Sequence, residues 1–554
     1  MQDFFELDDA EIAIANLRRW HLLQIESYGA LERIRLLSPI RAFVEYSYER
    51  ESPAEANAAL AIVVKTFAIQ ALILCHHHIQ AGDIVYGVAR FGHEFPNFLH
   101  LFDKAYSRSD KDQTFLQWVG ALATSMQVFC FIRGFWDRGA EIMRVGADAS
   151  IRTGMPSSAA QLLLQSIILS QKSGNYRIEK VQQTVDRIEE IAKKYPEPRL
   201  FGYSAMAKGD LLLLERKYND AYEEFTVAAE HFRIAKSENY DGQVAPQSPD
   251  QSTRDASSFG GDDEHMLALS LMQLGFVQEQ TAKPAEALVA YKQAVELMER
   301  DRDMLNLGSV LHQMGNCHCQ LKNYPSALDE YAKAANIFFA IGVQGHLSNS
   351  VGEMGHLFIE HDSGADIRLL LTRECLEASI EDLLADVSNS YLHVSANRLH
   401  EEACVSALRK VFGIMALFSC IPNSALLRML ATRLRDEVVI PLREIRTQSI
   451  GLVRCFSDVL ILYLDVTVAI CMRASRGKRK GSPKTILAEI EHLTRLCYEL
   501  SDFDWDPFKV FDWLAMYIRR IYKIKELTAV GLLVAIEATV LSNRSFTLNS
   551  FPTE

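Results

Sequence analysis

The chain has 554 residues, 49% hydrophobic and 23% charged, with a formal net charge of −13. That length allows several domains or one long repeat array, in the composition range of soluble globular proteins. The acidic balance opposes broad binding to nucleic acid or anionic membranes, which rests on neutralising phosphates with Lys and Arg.

Residues 1–50 stand apart from the rest. Asp8–Trp20 has helical spacing at Ile12, Leu17 and Trp20. His21–Ser27 and Glu32–Leu37 read as strands flanking a turn at Tyr28-Gly29-Ala30. Ser38 is placed to cap a following helix, with Pro39 at its first position. Helix, hairpin, helix is the order of the second half of a winged helix. Residues 51–200 read as degenerate helical repeats. Ala140, Arg144 and Ala147, then Val181, Val185 and Ile188, fit the pattern loosely.

Residues 201–384 carry the clear signal. Leu274-Gly275, Ala287, Tyr291 and Ala294 are echoed 40 residues on by Met314-Gly315, Ala327, Tyr331 and Ala334. Gly209, Ala221, Phe225 and Ala228 take the same steps. Gly355 continues the series. Its partner helix places Leu371, Cys375 and Ala378 equivalently once the turn around Asp362–Asp366 is lengthened. Small residues let two helices approach, and Leu271, Tyr291 and Leu297 fill the space between them. Pro284 and Pro325 fall in the turn between helix A and helix B of each pair, where a helix must stop. The pattern predicts an all-α array of helical hairpins with a partial winged-helix element, a β-hairpin, at the N-terminus. Ser237–Glu264 is rich in Ser, Asp, Gln, Gly and Pro and reads as a disordered insertion.

Residues 385–554 read as a helical extension. Its longest apolar run, Val459–Met472, contains Asp465 and is flanked by Arg454 and Asp458. It falls short of the roughly 20 apolar residues a membrane span needs, so a buried helix is expected and no membrane partner. Arg473–Lys484 is a basic loop of the kind usually solvated. The ten Cys are scattered, and the chain starts on the acidic Met1–Glu6. Both point to reduced thiols and a cytoplasmic protein.

Motifs for chemistry are wanting. Cys75-His76-His77-His78 is the most metal-like string, but consecutive helical residues point about 100° apart and cannot converge on one ion. Cys317-His318-Cys319 lies inside a well-matched helix. His361-Asp362 and His400-Glu401-Glu402 have no identifiable nucleophile beside them. No Gly-x-x-x-x-Gly-Lys-Ser/Thr loop occurs, and Gly477–Gly481 lacks its spacing and hydroxyl. The expectation is a non-enzymatic protein with no cofactor and no metal. Counting along helix A from each Gly picks out Met206 and Asp210; Met272, Phe276 and Glu279; His312 and Asn316; Asn349 and His356, which the repeat resemblance given next makes a candidate groove for a protein or peptide partner.

The small–small–aromatic–small order resembles the tetratricopeptide repeat, with a longer loop between hairpins. That resemblance implies a peptide-binding array lined by A helices. The Lys and Arg set with which some members clamp a C-terminal carboxylate is missing, since His312 stands one turn before Asn316. Arg35-Leu-Leu-Ser-Pro-Ile-Arg41 resembles the end of the winged helix in signal-transduction NTPases with numerous domains, the NOD-like and NB-ARC group. Glu94-Phe-Pro-Asn97 resembles the Glu-x-x-Asn segment that opens their repeat sensor. The resemblance implies the sensor part of a regulatory system, detached from its NTPase module or truncated from a longer regulator, without an ATP site of its own. The alternative is a nucleic-acid-associated regulator that uses the winged-helix remnant and Arg473–Lys484.

Overall fold

The computed structural model describes residues 50–75, 84–240, 263–360 and 370–379 with few gaps. It also describes a hairpin at 23–36 and isolated positions near 14–19, 46–47, 381–384 and 429–437. Two compact units divide the chain, Met1–Met266 and Leu267–Glu554.

The first unit begins with an antiparallel ribbon of β1 (Leu23–Tyr28) and β2 (Leu31–Leu36), in which Tyr28 pairs with Leu31. Tyr28 therefore belongs to the strand rather than to the turn expected over Tyr28-Gly29-Ala30. Ser38 and Pro39 lie outside the described residues. A ribbon alone does not define a winged helix, and nothing here supports one.

Among the described residues of this unit the helices that follow are α1 (Pro53–Ile73), α2 (Ile84–Arg108), α3 (Thr114–Ile132), α4 (Trp136–Arg152), α5 (Pro156–Ser173), α6 (Ile178–Lys194), α7 (Pro198–Leu214) and α8 (Tyr218–Tyr240). Short turns make neighbours antiparallel, and each helix packs on the next one or next but one. Phe91, Phe95 and Phe98 recur at one-turn spacing on α2. Phe91 and Phe95 meet Phe129 of α3 at ring separations of 4.9 and 4.8 Å. Where α3 and α4 cross, a methyl group on Gly146 would collide with the Ala123 side chain. Gly134, Gly154 and Gly174 close successive helices in left-handed conformation, with φ of 76°, 76° and 67°. They stand 20 residues apart, so two helices take the same 40-residue step as the clear repeats. The loose register assigned to α4 needs correction: Ala140 and Ala147 are buried, but Arg144 is exposed and Ile142 and Met143 fill the core instead.

The second unit holds most of α9 (Asp263–Gln280), then α10 (Pro284–Asp301), α11 (Met304–Gln320), α12 (Tyr324–Ile341) and α13 (His346–Glu360). Residues 373–379 are also helical, with Leu371 and Cys375 buried and Ala378 half-buried. Pro284 and Pro325 open α10 and α12 rather than sitting in the turns before them, since a first-turn Pro forfeits no helical hydrogen bond. Ser237–Tyr240 and Asp263-Glu264 are helical, so the proposed insertion is shorter than read; residues 241–262 lie outside the described residues. Asp263 is held within the first unit by a two-pronged bond from Arg199, at 2.6 and 2.7 Å. Lys236 pairs with Glu264 at 2.9 Å. Most of the helices predicted after residue 385 lie outside the described residues.

One contact recurs in every clear hairpin. The ring of helix B lies flat against a Gly of helix A, so that an added methyl group would stand 2.5 Å from Phe225 at Gly209, from Tyr291 at Gly275 and from Tyr331 at Gly315. Seven residues back along A and seven forward along B, Gly202 meets Phe232 and Gly308 meets Phe338, at 2.7 and 2.8 Å by the same measure. In the middle hairpin Ala268 and Met298 stand at these positions, both buried. A slightly larger residue on A is matched by a more adaptable one on B. The constant step of seven on both helices fixes the antiparallel register of the pair.

The turns are less well matched to their residues. The A helices α7, α9 and α11 each end in a double hydrogen bond of the Schellman type, as Lys283 N to Gln278 O at 2.8 Å and Ala282 N to Glu279 O at 3.1 Å. The residue that must adopt positive φ is Arg216, Ala282 or Lys322, with φ of 59°, 57° and 59°. Arg302 takes the same conformation after α10, where Gly342 serves after α12.

Two stability outcomes are expected. Gly315→Ala drives a methyl group into Tyr331 and costs about 1–3 kcal/mol, the usual range for overpacking, read as a lower urea midpoint. Arg302→Gly relieves left-handed strain of about 1–2 kcal/mol, against an entropic cost of about 0.5–1 kcal/mol. The net is a small rise in the same midpoint, and a fall would show that the Arg302 side chain contributes more than its backbone costs.

Candidate partner-binding face

Within the second unit, one row of positions on each helix A is half-buried. On α9 this row is Leu269, Met272, Gln273 and Phe276; on α11 it is Ser309, His312, Gln313 and Asn316; on α13 it is Asn349 and Glu353. Stepping by 40 links Leu269, Ser309 and Asn349 into one column and Gln273, Gln313 and Glu353 into another. The columns grow more polar along the chain, from Met272 and Phe276 to His312 and Asn316.

The nine residues assigned to a groove therefore separate into three groups. Met272, Phe276, His312, Asn316 and Asn349 are on this face. Met206 and Asp210 are each only 2% exposed in the first unit, and His356 only 5% on α13. These three are core residues and cannot present themselves to a partner. Glu279 is 8% exposed and engaged internally. Counting along a helix gives direction but not depth, and neighbouring helices cover these four positions.

Several face residues also hold the hairpins together. His312 Nδ1 lies 3.0 Å from Ser350 Oγ, linking α11 to α13, and its ring packs at 5.2 Å on Tyr331. Tyr331 donates its hydroxyl to Asn316 Oδ1 at 2.6 Å and lies 3.6 Å from Cys319 Sγ. Asn316 Nδ2 donates to Gln313 Oε1 at 2.7 Å. One repeat earlier, Tyr291 donates its hydroxyl to Glu279 Oε2 at 3.3 Å, and Gln320 Nε2 donates to Glu279 Oε1 at 3.4 Å. Burial raises the Glu279 carboxyl to about 7, against a smaller lowering by the Tyr291 hydrogen bond. Glu279 and Cys319 occupy the same repeat position, twelve residues before the Tyr whose hydroxyl reaches them. In the first-unit hairpin the ring is Phe225 and the equivalent residue is Leu213. Polar ring and polar receptor change together.

Cys75 is buried, which pushes its thiol up to about 12, and His93 is exposed. His76–His78, His361 and His400 lie outside the described residues, among which no cluster of metal-binding side chains occurs. Cys317 is buried and Cys319 half-buried. Burial lowers the His318 imidazole, opposed by Glu330. Glu94 and Asn97 bond each other on α2 at 2.8 Å. Among the described residues, α1 and α3 are long and apolar enough to cross a membrane. The apolar stretch of α3 is 61% buried and that of α1 22%. Length and composition alone are weak evidence of a span, and Val459–Met472, the run singled out from sequence, lies outside the described residues.

No family model matches the chain, and no curated protein matches it. Among solved structures, one described as a circular tandem repeat protein with novel repeat topology and enhanced subunit contact surfaces aligns with 86% of this chain and 99% of its own. Its identity is 15% and its TM-score 0.19. So low a score carries no weight; the helical-repeat architecture rests on the packing of this chain's own helices.

Tyr331→Phe removes the hydroxyl that fills Asn316 Oδ1. A loss of about 1 kcal/mol is expected, the net worth of one such hydrogen bond, measured by urea unfolding beside the wild type.

Proposed function

We propose that this chain is a non-enzymatic interaction module, a helical-repeat scaffold that binds a protein or peptide segment on the α9, α11 and α13 face. The observation that carries this reading is the repeat-locked set of half-buried positions. Met272 and Phe276 form an apolar end, and His312, Asn316 and Asn349 a polar continuation. Such a surface suits an extended or helical segment with apolar anchors at one end and backbone polar groups at the other. The finer reading is a tetratricopeptide-type sensor or scaffold in a regulatory NTPase-type system of the cytoplasm. It rests on the resemblances at 35–41 and 94–97 and on the 40-residue echo.

The test compares wild type with Met272→Ala/Phe276→Ala in affinity purification with mass spectrometry, after circular dichroism has shown equal helicity. Both anchors are half-buried, so their loss should weaken a partner more than the fold. Loss of a specific co-purifying protein is expected. Equal recovery by both proteins would remove the face from consideration. Retention of nucleic acid in place of a protein, lost steeply with added salt, would favour the alternative transcriptional reading.

A further inference from the structure

We propose that Glu279 is a proton-operated latch at the ends of α9 and α11: neutral, it lets the first hairpin of the second unit close, and ionised, it draws in water and loosens those ends. The geometry is a single side chain, 8% exposed, receiving one hydrogen bond from each of two neighbouring helices. Tyr291 of α10 reaches one carboxyl oxygen and Gln320 of α11 the other, at 3.3 and 3.4 Å. Both donors are neutral and both bonds long, a poor match for a charge removed from water. No Lys, Arg or His pairs with it among the described residues.

The titratable groups that act on it are Tyr291 from α10 and Cys317 from α11. Burial raises both, the thiol to about 12, so neither supplies a charge in the neutral range. A carboxylic acid suits the site better than a carboxylate, because its own proton can be donated to the Tyr291 hydroxyl while its carbonyl accepts from Gln320. The place is also mechanically weak. Glu279 O accepts from Ala282 N in the turn where Ala282 holds positive φ. Phe276, one turn earlier on α9, belongs to the partner-binding face, but the latch does not require that face to bind anything.

The direction with pH follows from where the proton sits. The folded value, about 7, is above that of an unfolded glutamate. The stabilisation is thus complete below the ordinary carboxylate range, declines as pH rises through that range towards about 7, and is absent above it. A local opening that restores the ordinary value should become about tenfold more favourable between about pH 6 and about pH 8.

Amide hydrogen exchange of the whole chain tests this, with rates corrected for the intrinsic effect of pH. In the wild type the protection of residues 276–283 and 316–323 should fall about tenfold over that interval. In Glu279→Gln, which keeps the acceptor and removes the charge, it should stay constant. Equal pH responses in the two proteins would overturn the latch. If the variant does not fold, the carboxyl-carbon shift of Glu279 in the wild type decides. A midpoint near neutrality supports the proposal, and one near the usual value of about 4.3 rejects it.

Discussion

A ring pressed against a glycine sets the geometry of every clear hairpin in this chain. Helix A must have no side chain where Phe225, Tyr291 or Tyr331 of helix B arrives, since a single methyl group there would lie 2.5 Å from the ring. That contact fixes how near the two axes come, and repeating the step after seven residues fixes their register. Interiors are packed closely enough that such a pair tolerates little change of volume. The middle hairpin shows the limits of substitution. Ala268 and Met298 replace Gly and Phe together, exchanging a rigid ring for a side chain that can bend around a methyl group.

The ring hydroxyl adds a second, coupled requirement. A buried phenol needs a partner, and the residue twelve positions earlier supplies one in each Tyr-bearing hairpin: Glu279 for Tyr291, Cys319 for Tyr331. Asn316 accepts the Tyr331 hydroxyl proton, which leaves Cys319 to face the phenolic oxygen as a donor. Where the ring is Phe225, Leu213 can occupy the position with no polar atom left over. Chemistry at this place therefore follows from ring identity, and the buried carboxyl of Glu279 is one solution among several. Asn316 and His312 also tie α11 to α12 and α13, so a substitution at either acts on the fold.

The sequence made the hairpins legible because three copies of Gly-to-ring spacing survive without gaps at Gly209, Gly275 and Gly315. The second contact of each pair escaped notice, since Ala268 and Met298 interrupt it in the middle copy. The first six helices of the first unit were poorly legible for a related reason. Their close approaches use Gly146 against Ala123 and a cluster of phenylalanines on α2 and α3, in another order along the chain. Their period is nevertheless written in the turns at Gly134, Gly154 and Gly174. For the candidate groove, periodicity gave direction but not depth: Met272, Phe276, His312, Asn316 and Asn349 are half-buried, whereas Met206, Asp210 and His356 are buried. The ion pair of Arg199 with Asp263, 64 residues apart, left no local signal to read.

The turn glycines of the first unit alternate between the two ends of its helices. Gly134 and Gly174 follow helices running one way, and Gly154 follows one running the other. Loops at one edge can therefore lengthen, acquire charge or be cut without disturbing the opposite edge, because no turn on one side shares a residue with a turn on the other. The helices between them, 17 and 18 residues long, act as fixed spacers. Such a framework offers two separately adjustable borders on one rigid body, and variation at one border need not compromise whatever the other border has come to do.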